Sequence, residues 1–186
     1  MGRIVASEFV TLDGVMDDPG GAEGSPFGGW AFSFDRGEAG DDFKYEELMS
    51  AQALLLGRRT YAGFAAAWPQ MNGDEFGQKM NAMPKYVVSR TLTDAGWNNT
   101  QVLAGDPVQE ARRLRDELSE ILLAGSGELL AALHEADLID EYRLIVFPIT
   151  VGGGKPLFAA ATEQKRLSVI DVKPAGETIL LRLRPA

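Results

Sequence analysis

Cysteine is absent from the 186-residue chain, and histidine occurs once, at His134. The first absence excludes structural disulfides, thiolate zinc sites and cysteine nucleophiles. With one imidazole and no thiol, a metal site would need carboxylates alone, and none is expected. His134 falls late in a helical segment and reads as a surface or capping residue. Hydrophobic runs are short, none near the roughly 18 residues needed to cross a bilayer. Met1-Gly2-Arg3 leads straight into the alternating stretch Ile4 to Val10, with neither a signal core nor a cleavage site. A soluble, cytoplasmic protein without a membrane partner is expected. Positive charge is in deficit: 18 Lys and Arg stand against 27 Asp and Glu, a net charge of −9. That field repels nucleic-acid phosphates at long range, so no nucleic-acid partner is expected. A local arginine cluster can still outweigh it for a small phosphorylated ligand. The run Arg112, Arg113, Arg115 lies on a helical segment and reads as a solvated face pairing with Asp116 and Glu117.

What is present suits one compact domain over residues 1–186, with 45% apolar residues to form its core. Strand-like and helix-like pieces alternate, the pattern of an α/β protein. Ile4 to Val10 reads as a first strand. Residues 13–40 then carry eight glycines, from Gly14 to Gly40, in a stretch too long for an ordinary connection. It is either a binding loop, with Phe27, Trp30, Phe32 and Phe34 packing over a ligand, or a disordered insertion. Asp41 to Ala51 reads as a helix, and Leu54-Leu55-Leu56 as a buried parallel strand. Tyr61, Phe64, Ala65 and Trp68 mark one helix face before Pro69 ends it. Tyr86 to Val88 and Val102-Leu103 are two more short strands. Asp106-Pro107 opens a helix with a capping-box-like Gln109 and the stripe Val108, Ala111, Leu114, Leu118. Ile121 to Leu123 is a strand, Ser126 to Ala136 a helix, and Tyr142 to Ile149 a long strand. Arg166 to Val172 and Thr178 to Leu183 face each other across Pro174-Ala175-Gly176 as an antiparallel hairpin. The sum is a mixed, mostly parallel sheet with helices on both faces.

Two strand-to-helix junctions combine glycine with polar side chains. In Gly57-Arg58-Arg59-Thr60-Tyr61, Gly57 lets the backbone turn, the following amides face outward, and two forked guanidinium groups suit phosphate. A glycine turn with two solvated arginines is the plainer alternative. In Gly125-Ser126-Gly127-Glu128, missing Cβ atoms allow a phosphate close to a helix start, and Ser126 can cap or donate. It is not a full G-x-G-x-x-G fingerprint, because the sixth position is Leu130. Ser89-Arg90 ends a third strand on the same edge, where open α/β sheets bind ligands.

These segments, with Thr11-Leu12-Asp13-Gly14 and Gly152-Gly153-Gly154-Lys155-Pro156-Leu157, run in the order of a known family. Over nearly its whole length the chain resembles the dihydrofolate reductase superfamily. Within it, the chain is similar to the reductase half of the bifunctional riboflavin-biosynthesis deaminase-reductase. The resemblance implies a dihydrofolate-reductase-like three-layer sandwich and a reductase moving a hydride from NADPH to a small heterocyclic substrate, such as 5-amino-6-(5-phosphoribosylamino)uracil. It places Arg58, Arg59, Thr60, Ser89 and Arg90 by the 2′-phosphate and pyrophosphate, and Gly125, Ser126 and Gly127 around the pyrophosphate, with Gly57 at the turn. Asp13 would contact substrate or order its loop. Asp41 stands sixteen positions before Gly57, where dihydrofolate reductases carry their acid, and is also a plain helix N-terminal acid. A homodimer through the C-terminal strands is implied as well. The family's Pro-Trp pair after the first strand is replaced by Asp13-Gly14, which counts against folate. The zinc deaminase half has no counterpart, since Cys and His-x-Glu are absent. A non-catalytic NADPH-binding module and a dihydrofolate reductase proper are the alternatives.

Overall fold

A computed structural model describes residues 2–159 and 163–186; Met1, with which the leaderless start was read, lies outside the described residues. In chain order the elements are β1 (Arg3–Thr11), α1 (Gly37–Ser50), β2 (Ala53–Gly57), α2 (Arg58–Ala67), α3 (Glu75–Ala82), β3 (Lys85–Val88) and β4 (Thr100–Leu103). There follow α4 (Pro107–Glu117), β5 (Glu120–Ala124), α5 (Gly127–Glu135), β6 (Glu141–Phe147), β7 (Leu167–Ala175) and β8 (Thr178–Pro185). All eight strands form one sheet in the order β4-β3-β2-β5-β1-β6-β8-β7. The first six are mutually parallel, and β8 and β7 add antiparallel at one edge. The expected mixed α/β sandwich is therefore the fold.

Both faces of the central strands are covered, which is why β2 is apolar throughout rather than alternating. Leu55 packs with Ile4, Ala6, Ile121 and Leu123 under α4 and α5, through Ala111, Leu114, Leu130 and Leu133. Leu54 and Leu56 point the other way, to Leu48 of α1, Tyr61 of α2 and Met80 of α3. Under the β6–β8 end, Trp30, Phe43, Phe147 and Leu180 make a third cluster. Truncating a fully buried leucine in such layers costs about 2–5 kcal/mol.

Several local expectations are revised. Helix α3 has no forerunner in the sequence reading: Gly77 interrupts its pattern, yet Asp74 caps it by accepting from the Gly77 N–H at 2.8 Å. Helix α1 begins at Gly37, not Asp41. Pro174 lies within β7 opposite Ile179, so the hairpin turn is only Gly176-Glu177, with Gly176 at φ +57°. An edge strand tolerates that proline because no neighbour needs its missing N–H. Asp106 does cap α4, accepting from Val108 and Gln109 amides. Arg113 pairs with Glu110 and Glu117 on the solvated face, but Arg115 turns inward to Asp140 and the Gly2 carbonyl. His134 is no surface residue: it is 9% exposed, with Nδ1 2.5 Å from the Tyr142 hydroxyl.

The glycine-rich stretch is an ordered loop over residues 12–36, not a disordered insertion. The Asp18 carboxylate accepts from the Glu23 and Ser25 amides, and the Asp17 carboxylate from the Ser25 hydroxyl. Lys155 pairs with Asp17 at 3.2 Å, and Val15 bridges Pro156. Trp30 and Phe34 pack on Phe147, at 5.1 and 5.9 Å between ring centroids, so they are core rather than ligand cover. Phe32, 84% exposed, is left free.

Lys85 at the start of β3 is completely buried. Its ammonium has three N–H groups and donates to three carbonyls, of Asn81, Met83 and Asn98, at 2.8–3.0 Å, while standing 4.3 Å above the Trp97 ring. Burial pulls its pKa down to about 8. Lys85→Met orphans these carbonyls and is expected to cost about 2–4 kcal/mol, lowering the melting temperature by roughly 5–10 °C. In the wild type, stability should climb as pH rises from about 8 towards the ordinary lysine value, because there only the unfolded chain still holds the proton. Thermal melts of both proteins across that range check this: an unchanged melting temperature, or the same pH slope in the variant, would count against it.

Candidate functional site

Because the six parallel strands point the same way, their carboxyl ends share one rim. On it β2 and β5 are neighbours, with Leu55 opposite Leu123. Beyond that pair the chains part, β2 into α2 on one face and β5 into α5 on the other. Their junctions are bonded to each other. The Gly57 N–H donates to Ser126 Oγ at 2.8 Å, and the Ser126 N–H donates to Thr60 Oγ1 at 3.0 Å. The two hydroxyls also lie 3.0 Å apart. Gly125 and Ser126 both adopt left-handed backbone, at φ +58° and +65°. A Cβ on Gly125 would sit 2.9 Å from Thr60 Cγ2, so this position accepts no larger residue. Gly57, by contrast, has ordinary extended backbone at φ −83° and is not the source of the turn.

Each helix leaves its first amides without partners inside the helix. Asp74 caps α3, Asp106 caps α4, and Asp35 serves the first amide of α1 at 2.7 Å. Neither α2 nor α5 has a side-chain cap. Ser126 stands at the cap position of α5, but its hydroxyl is spent on Gly57 and Thr60. Two helix N-termini therefore start side by side without side-chain caps among the described residues, an arrangement that favours an anion. Arg58 and Arg59 of α2 and Arg90 after β3 are exposed, and none is in an ion pair among the described residues. Ser89 is buried and accepts from the Thr91 and Leu92 amides, ordering the turn that presents Arg90. Gly57, Arg58, Arg59, Thr60, Ser89, Arg90, Gly125, Ser126 and Gly127 thus lie on the tips of three neighbouring strands, β3, β2 and β5.

The two carboxylates singled out in the sequence lie apart from that cluster. Asp13, after β1, accepts from the Thr11 hydroxyl at 2.5 Å and from the Val151 and Gly152 amides at 3.1 and 2.8 Å. The Thr11 and Gly152 bonds hold its carboxyl below the usual range. It clasps the loop after β1 to the glycine turn after β6. Asp41 stands on the outer side of α1, its side chain 68% exposed and paired with Arg36 at 2.8 Å. A ring held against the sheet is therefore not within its direct hydrogen-bonding surroundings, and the reading of Asp41 as a ring-holding acid gains nothing from the geometry.

Two carboxyls that face inward went unremarked in the sequence, because neither belongs to a motif. Glu47 of α1 is 1% exposed; its Oε1 accepts from the Ser7 hydroxyl at 2.7 Å and pairs with Lys44. Glu8 of β1 is 4% exposed and is met by the Gly125 N–H. Burial pushes the Glu8 carboxyl well above the usual carboxylate range, and the nearby Lys44 charge and the Gly125 amide do not bring it back. Among the described residues, Glu8 Oε1 and Glu47 Oε2 have no hydrogen-bond partner. A charged residue breaking the apolar alternation of a central strand was the available signal. Cavities of about 640 and 210 Å³ lie away from this rim, towards the amino ends of the parallel strands, the first around Trp97 and Thr100, the second around His134 and Lys165. Among the described residues there is no cluster suited to a metal ion, and no helix is long and apolar enough to cross a membrane.

The chain is similar to solved structures over its full length. A Shewanella sp. PV-4 protein assigned to riboflavin biosynthesis superimposes with a TM-score of 0.78 at 20% identity, covering 99% of both chains. The Thermotoga maritima diaminohydroxyphosphoribosylaminopyrimidine deaminase/5-amino-6-(5-phosphoribosylamino)uracil reductase gives 0.67 at 15% identity, covering all of this chain and 57% of that one. Enterococcus faecalis dihydrofolate reductase, complexed with NADP(H) and an inhibitor named RAB-propyl, gives 0.57 at 14% identity over 99% of this chain and 96% of its own. These likenesses establish a dihydrofolate-reductase-like fold. The model of the RibD C-terminal domain matches residues 3–181, and the chain therefore belongs to that family.

Proposed function

We propose that the protein is an NADPH-dependent reductase acting on a small heterocyclic ring, as one domain over residues 1–186 in the cytoplasm. The observation that carries this reading is the pair of helix starts at β2 and β5 without side-chain caps, joined through Ser126 and Thr60 and flanked by three arginines in no ion pair among the described residues. The α5 amides at Gly127 and Glu128 would hold the pyrophosphate. Arg58, Arg59 and Arg90 would hold the 2′-phosphate, which distinguishes NADPH from NADH. The dinucleotide, when bound, supplies the hydride. The chain's own part is to bind, to orient and to exclude water. Asp13 is a positioning residue, because it ties the loop beside the ring site to the Gly152 turn. Family membership supports a heterocyclic substrate, and 5-amino-6-(5-phosphoribosylamino)uracil is the first ring to assay.

Arg58→Ala combined with Arg59→Ala should weaken NADPH binding by roughly tenfold to a hundredfold, as expected for losing charge-assisted bonds of about 1.5–3 kcal/mol. NADH binding should change little. Titration by fluorescence quenching separates the two, and equal losses would remove the 2′-phosphate assignment. Loss of NADPH absorbance with the aminouracil substrate and with dihydrofolate then tests turnover; tight binding with no turnover on either would favour a binding module.

Thr60→Val keeps shape but removes the acceptor for the Ser126 N–H and the partner of its hydroxyl. It should lower NADPH affinity about tenfold, for a cost near 1–2 kcal/mol. Wild-type affinity in that variant would show that the β2–β5 link does not shape the site.

We further infer a homodimer through the C-terminal edge. Strand β7 has one free edge and carries Val169 and Val172, 64% and 59% exposed, with Ile179 of β8 at 45%. An open apolar edge of this kind invites pairing. Light scattering should give twice the chain mass, and Val172→Asp should return it to one. A monomeric wild type would refute the dimer.

A further inference from the structure

The cofactor reading leaves the most costly group near the rim unused. A carboxyl on a central strand with one oxygen unpartnered is a burden that folds rarely keep without a role. Glu8 lies opposite Leu144 of β6, one residue beyond the pairing of Ser7 with Ala124. That register sets it beside Gly125, where β5 ends and the phosphate cradle begins. The Gly125 N–H that reaches Glu8 belongs to the same short run whose following amides face outward. A resident carboxyl and an incoming phosphate therefore draw on one cradle and on the same positive helix end.

We propose that Glu8 is a positioning residue of the phosphate cradle whose charge sets how tightly the cradle holds an anion. Uncharged, Glu8 steadies Gly125 and leaves the helix end to the phosphate. Ionised, it claims the Gly125 amide and repels the phosphate across a few ångströms of protein. This inference rests on the cofactor reading and adds a control to it. The charges that act on Glu8 are Lys44 and Glu47 of α1, which lie on the opposite face of the sheet against Ser7 and Phe9, and the Gly125 amide reaches it from the β5–α5 junction. Across the β1–β6 ladder its partner is Leu144, which is uncharged, and Glu128 is the acidic residue in the first turn of α5. Burial lifts the Glu8 ionisation well above the usual carboxylate range, so the cradle is open below that ionisation and closes above it. Lys44 pulls that ionisation down in pH and Glu47 pushes it up.

The test is NADPH binding by fluorescence quenching from about pH 7 to about pH 10, above the second phosphate ionisation near pH 6. Wild-type affinity should fall tenfold or more across an alkaline limb. Glu8→Gln, shape-matched and uncharged, should bind as tightly as wild type at pH 7 and lose the limb. Lys44→Met should move the limb to higher pH and Glu47→Gln to lower pH. Circular dichroism checks that each variant is folded, and the two α1 variants carry the test if Glu8→Gln is not. An unaltered limb in Glu8→Gln, or a limb that neither α1 variant moves, overturns the inference while leaving the cofactor reading intact. No NADPH binding by wild type at any pH removes both.

Discussion

One hydroxyl holds the rim together. Ser126 Oγ takes the amide of Gly57 and meets the hydroxyl of Thr60, while the Ser126 amide is itself received by Thr60. Strands β2 and β5 stop pairing just below this point, and without the link their tips would be free to diverge. Satisfying these groups sideways is what leaves the helix starts unsatisfied forwards. The usual serine cap on the α5 amides is given up, which forgoes about 1 kcal/mol of helix stability. Ser126 also accepts left-handed backbone, rare outside glycine. Asp18, Asn99 and Asp137 share that backbone, but at Ser126 it coincides with a surrendered helix cap, and functional sites are where such departures concentrate.

Much of the fold was readable because periodicity reports burial. Leu54 to Leu56 and Ile121 to Leu123 are apolar on both faces, as strands covered by two helix layers must be. The Asp106-Pro107 start and the Tyr61–Phe64–Ala65–Trp68 face are local signals, and they hold. What escaped was set by contacts distant in sequence. Helix α3 reads poorly because Gly77 sits at its inward position, where a Cβ would lie 1.8 Å from the Met71 carbonyl oxygen. His134 looked superficial because nothing nearby announces the Tyr142 hydroxyl eight residues on. The order of the glycine-rich loop comes from Lys155 and Pro156, far downstream.

For the site, short glycine motifs marked the tips of β2 and β5, since a glycine beside a strand end is a local feature, and Ser89-Arg90 marked that of β3. Carboxylate roles were much less legible. Asp41 lies at the sequence spacing of an acid but on the outer face of its helix, because helix phase and not distance along the chain decides which side faces the sheet. Glu8 and Glu47 belong to no motif, and only the packed structure shows that both are sealed in.

The loop of residues 12–36 is fastened at both sides, by Asp13 to Gly152 and by Asp17 to Lys155, on the connection after β6, while Met16 reaches Gly127 beyond β5. The molecule thus separates into two halves that answer to different pressures. Residues at the junctions of β2 and β5 are locked into sheet tips, where a single exchange disturbs several bonds. Residues such as Phe27 and Phe32 ride on a surface loop whose fastenings are elsewhere, so they can drift without unsettling the sheet. Substitutions in the loop can therefore accumulate while the bonds that join β2 to β5 stay as they are.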